Sequence, residues 1–116
     1  MVDIDIVGES FHEDYIRQIR SRYADREFEI VLVPEPNNPY DPNAVAIHVD
    51  GGIVGHLARD MAASWQPRVL AAAAEGFVVA GTAAIFGGTQ DKPNLGVFGA
   101  APWPGPGPAP ADRWSR

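Results

Sequence analysis

Pro34-Glu35-Pro36-Asn37-Asn38-Pro39-Tyr40-Asp41-Pro42-Asn43 is a run of ten residues with four prolines and three asparagines. Proline fixes φ near about −65°, and asparagine and aspartate bond to backbone a few residues away, so this loop is stiff. It is bracketed by strands. Before it, Glu27 to Val33 (Glu-Phe-Glu-Ile-Val-Leu-Val) alternates polar and apolar and then turns apolar on both faces. After it, Ala44 to Val49 and Ile53 to Leu57 read as a hairpin joined at Asp50-Gly51-Gly52, with glycine supplying positive φ. A stiff loop between two strands of one sheet is where binding residues concentrate on a rigid scaffold.

Further out, Asp3 to Val7 alternates at period two and predicts a half-buried strand ended by Gly8. Ser10-Phe11-His12-Glu13 fits a capping box, and Tyr15, Ile16, Ile19 and Tyr23 share one face of a helix over about 11–23. On the other side, Arg59 to Glu75 is alanine-rich and helical, with Pro67 inside it. Proline costs a helix interior one hydrogen bond, so two short helices meeting at Gln66–Pro67 are expected, ended by Gly76. Phe77 to Phe86 and Leu95 to Phe98 are the remaining strands, separated by a loop over 87–94. The order β-α-β-β-β-α-β-β has short connections and no βαβ repeat. It predicts an α+β fold, a small antiparallel barrel of about six strands with two helices.

The chain has 116 residues, 46% of them hydrophobic and 21% charged. That is room for one domain, expected over 1–100, with 101–116 a flexible Pro/Gly-rich tail. The tail carries Pro102, Pro104, Pro106, Pro108 and Pro110 with Trp103 and Trp114, a spacing that also suits a polyproline II segment docking on a protein partner. The absence of cysteine from this sequence excludes disulfides, cysteinyl zinc, iron–sulfur clusters and thiol catalysis within it. No apolar run reaches the ~20 residues of a membrane span. The opening Met1-Val2-Asp3-Ile4-Asp5 lacks the basic and apolar stretches of a signal peptide, so a cytoplasmic location is expected. A net charge of −6 argues against coating duplex DNA, which needs many neutralised phosphates. It leaves room for gripping an end.

There is no phosphate-binding glycine loop, no Gly-x-Ser-x-Gly elbow and no His-Glu-x-x-His. His12, His48 and His56 have no local metal-ligand spacing. Neither catalysis, nor a metal, nor a cofactor is expected. Tyr40 can stack on a base and Asp41 can accept a hydrogen bond from a hydroxyl. The same residues suit a purely structural loop, with Asn and Asp bonding the backbone and Tyr40 plugging one end of the barrel.

Pro34 to Ile47, followed by Gly52-Ile53-Val54-Gly55-His56-Leu57-Ala58-Arg59-Asp60-Met61-Ala62, resembles the HIRAN domain. Val7-Gly8 before an aromatic fits the family's opening, and the resemblance runs from about Ile4 to Phe98. HIRAN modules occur at the N-terminus of some Swi/Snf-type DNA-repair helicases and as small free-standing bacterial proteins. The resemblance implies an OB-like barrel with two helices. It also implies a non-enzymatic nucleic-acid-binding module for the 3′ end of single-stranded DNA, linked to repair or replication-fork processing. By match of motif, Tyr40 and Asp41 would contact the terminal nucleoside and its 3′-hydroxyl, and His56 and Arg59 the phosphate. End-binding members carry an Arg-Tyr pair where this chain has Ser10-Phe11. Phe11 keeps an aromatic for stacking, while the guanidinium is absent, which implies weak binding or a protein-interaction domain that has lost the end grip.

Overall fold

The computed structural model describes residues 1–91 and 93–107. Seven strands form one antiparallel sheet: β1 (Val2–Ile4), β2 (Ile6–Val7), β3 (Phe28–Pro34), β4 (Val45–Val49), β5 (Gly52–Leu57), β6 (Val79–Gly87) and β7 (Leu95–Ala101). Their order is β1-β7-β6-β3-β4-β5-β2. The expected single strand over 3–7 is two strands, parted at Asp5. Val2–Ile4 pairs with β7 and Ile6–Val7 pairs with β5, so one short extended segment bridges both edges of the sheet. This nearly closes it into a small α+β barrel, and it is why the strand count is seven rather than six. Asp5 itself leaves the ladder, and its carbonyl accepts from Ala58 N–H at 2.9 Å, tying the seam to the end of β5.

The hairpin between β4 and β5 is as the sequence predicts. Asp50 and Gly51 both have positive φ, 50° and 89°, the two-residue turn whose twist matches the strands. The motif glycine in β5 has a different reason. A Cβ on Gly55 would lie 2.8 Å from the Val7 carbonyl oxygen and from Ile6 Cγ2, so only glycine lets β2 close over β5.

Two helices cover the barrel. A 3-10 turn over Glu9–His12 leads into α1 (Glu13–Tyr23), which buries Ile16 and Ile19. No side-chain cap forms at either start, so the predicted capping box is not realised. The turn is closed by Phe11 N–H on the Gly8 carbonyl, and a Glu9 carboxylate oxygen accepts from Val97 N–H instead. Helix α2 (Arg59–Ala74) is continuous through Pro67, contrary to the two-helix expectation. Its buried residues, Met61, Ala62, Trp65, Gln66 and Val69, lie on both sides of the proline and hold both halves on the barrel. Pro67 and Ala63 are both exposed, so the carbonyl that loses its partner faces water.

The expected boundary at residue 100 falls inside β7. Ala101 is fully buried, and Trp103 packs edge-on against Trp65 with ring centroids 5.1 Å apart. Trp103, expected in a flexible tail, is therefore docked on the core, because its ring finds the apolar surface of α2. Trp114 and the rest of 108–116 lie outside the described residues. Among the described residues, no helix is long and apolar enough to cross a membrane.

Candidate nucleic-acid interface

The loop that leaves β3 is built on its own side chains. Asn38 Oδ1 accepts from the Tyr40 and Asp41 N–H groups at 2.8 and 3.1 Å, and Asp41 Oδ1 accepts from Asn43 N–H at 3.0 Å. Backbone bonds from Glu35 N–H to the Ala44 carbonyl and from Ala44 N–H to the Asp41 carbonyl close its base. From beneath, the buried Gln66 amide donates to the carbonyls of Pro42 and Ala44 at 2.8 and 3.0 Å. A loop so tied presents Tyr40 at a fixed place with its ring in solvent, 87% exposed.

Beside it, the 3-10 turn presents Phe11, 86% exposed, and the end of β5 presents His56. Arg59, the first residue of α2, reaches back: its Nη2 donates to the Tyr40 carbonyl at 3.3 Å, and its Nε lies 3.7 Å from Asp41 Oδ2. Its side chain is 77% exposed, so this ion pair is weakly held and the guanidinium can turn to a ligand. Phe11, Tyr40, Asp41, His56 and Arg59 thus line one groove of about 650 Å³, together with Gly8, His12 and Asn38. That volume lies within the roughly 300–1,000 Å³ usual for ligand clefts. All five residues singled out in the sequence meet there, from four separate elements.

Ser10 does not line this groove. It faces a separate hollow of about 250 Å³ with Glu9, Glu13 and Asn94.

Several participants were not legible in advance. His56 Nε2 lies 2.8 Å from Glu35 Oε1, and Asn38 Nδ2 donates to the same oxygen at 3.1 Å. Burial pushes the Glu35 carboxyl up, but the bonds from His56 and Asn38 and the fields of His56 and His48 outweigh it. The carboxyl is held below its ordinary range. Burial also pushes His48 down, against the pull of Glu35. The His12 and His56 rings face each other across 6.5 Å. His48 and His56 therefore gather near Glu35, and His12 stands by His56, although among the described residues no group of three metal-ligating side chains forms. Glu35 and Asn38 carried no signal beyond their place in the loop. Gln66 did carry one, since it stands four residues after Ala62 on the buried stripe of α2.

The site combines two exposed aromatic rings, an acceptor carboxylate and two or three donors in a single cleft. Such a set can sandwich a planar base, accept from a hydroxyl and hold one or two phosphates. The family model for the HIRAN domain matches residues 1–92 of the chain. No curated protein and no solved structure matches it.

Proposed function

The chain belongs to the HIRAN domain family, a family of DNA-binding modules, and from that premise we propose that its groove holds the 3′ end of single-stranded DNA. In this reading the protein acts by binding, without catalysis, in repair or replication-fork processing. Phe11 and Tyr40 stack on the last bases, Asp41 accepts from the terminal hydroxyl, and His56 and Arg59 hold a phosphate. One observation carries it: five residues from four elements converge on one cleft whose aromatic rings nothing among the described residues covers. A strand end suits the groove better than a duplex, because the cations are few and the net charge is −6.

Amide chemical-shift mapping with a short 3′-hydroxyl strand tests the location. Shifts at Phe11, Tyr40, Asp41 and Arg59 are expected, with none around Phe86 and Phe98 on the β6–β7 hairpin. Shifts confined to another surface would overturn the assignment.

A second reading, a protein-interaction module, is favoured by a separate surface. Phe77 and Val78, just past α2, are 67% and 75% exposed beside Pro102, Pro104 and Pro106. Along α2 this lies roughly 24 Å from Arg59, so a protein partner there leaves the groove open.

A further inference from the structure

We propose that Glu35 is a positioning residue that makes phosphate recognition by His56 proton-linked, so that the strand end is gripped more tightly as the pH falls. The inference rests on the end-binding reading of the groove and adds a condition to it.

The argument begins at one contact. His56 Nε2 and Glu35 Oε1 are 2.8 Å apart. An ionised carboxylate can only accept, so the proton of a neutral His56 must sit on Nε2. Glu35 is ionised throughout the neutral range, since its carboxyl lies below the usual carboxylate pKa. The ring's other nitrogen, Nδ1, is then a bare lone pair. A lone pair repels a phosphate oxygen. Only the imidazolium, with hydrogens on both nitrogens, can keep Glu35 and donate to a phosphate at once. Binding through His56 therefore takes up one proton wherever the free histidine is neutral.

The other groups around this pair act differently. His48, on β4, is pushed down by burial and stays neutral over most of the same range. Asp41 and Arg59, from the loop and α2, lie against each other at 3.7 Å, away from the Glu35 contact. His12, on the 3-10 turn across the groove, can also attract phosphate when protonated, so the test separates it.

The experiment measures the Kd of a 3′-hydroxyl oligonucleotide by fluorescence anisotropy from pH 6 to 8 at constant salt. It uses the wild-type protein, Glu35→Gln, and His12→Gln. Linkage to one proton tightens wild-type binding by up to about tenfold for each unit the pH falls, wherever the free imidazole is neutral. His12→Gln keeps most of that slope. Glu35→Gln loses more than half of it, because the amide can donate to Nε2 and so frees the neutral Nδ1–H form to bind phosphate. For the same reason this variant binds more tightly than wild type at pH 8, whereas a merely structural glutamate would weaken binding at every pH when replaced.

A wild-type Kd that is flat with pH, or a slope that survives Glu35→Gln, overturns the proposal and leaves end binding intact. Failure of every strand to bind at any pH overturns both. The ¹⁵N shifts of the His56 ring test the first step without DNA: the Nε2–H form is expected in the free protein at pH 8, and a dominant Nδ1–H form contradicts the proposal.

Discussion

Tyr40 separates binding from folding more cleanly than any other residue here. Its ring is in solvent, while its backbone is held by Asn38 and Arg59, so removing the ring takes away no packing. Tyr40→Ala is expected to weaken binding of a single strand by about 1–3 kcal/mol, the usual worth of one stacked base. Its melting temperature should match that of wild type. Anisotropy and a thermal melt on the same sample check both, and an unfolded variant would place the ring in the structure rather than the interface. At this scale the sequence was informative for groups that project and poor for groups that connect. Tyr40 and Asp41 could be named because their chemistry is written in their side chains, and His56 and Arg59 only through the matched HIRAN motif. Glu35 and Asn38 matter through partners that only folding supplies, such as an imidazole 21 positions away.

Among the elements, the strands and the hairpin turn were legible because period-two patterning and Asp50-Gly51 act locally. The errors lie where tertiary packing outweighs a local rule. By local rules Pro67 breaks the helix, yet the buried stripe of α2 continues past it. In a continuous, exposed position proline lacks one helical bond, so Pro67→Ala is expected to stabilise the protein. The gain should be about 1–3 kcal/mol, the helix term less the chain entropy that proline removes from the unfolded state. Urea unfolding measures it, and a loss of stability would favour the broken helix. Gly55 gives the opposite case. Its missing Cβ leaves room for the backbone of β2, which cannot yield as a side chain could. Gly55→Ala should cost about 1–3 kcal/mol of stability, as overpacking does, and should loosen the seam. Faster amide exchange at Val7 and Leu57 would show this; a variant as stable as wild type would contradict the close approach.

Across the whole molecule, acid should weaken the fold. Glu35 has a folded-state pKa below its ordinary value of 4.5, so the unfolded chain protonates first. Its contribution is fully present above that value and is lost as pH falls through the folded pKa. His48 is likewise lowered from 6.5, and the unfolded state again takes up the proton first, so stability begins to decline from about pH 6.5 downward. The melting temperature should fall steadily from pH 7 to pH 4, and His48→Gln should lose the upper part of that dependence. A melting temperature that rises on acidification would reverse the sign of both shifts. The proposed function turns on Asp41 accepting from a terminal hydroxyl in the groove that Phe11 and Tyr40 also line. The most direct test compares a strand ending in a 3′-hydroxyl with the same strand ending in a 3′-phosphate, by anisotropy at low salt. Tighter binding of the hydroxyl end is predicted, because a carboxylate accepts from the first and repels the second, and the preference should vanish in Asp41→Ala. Equal binding of the two ends by the wild-type protein would contradict end recognition.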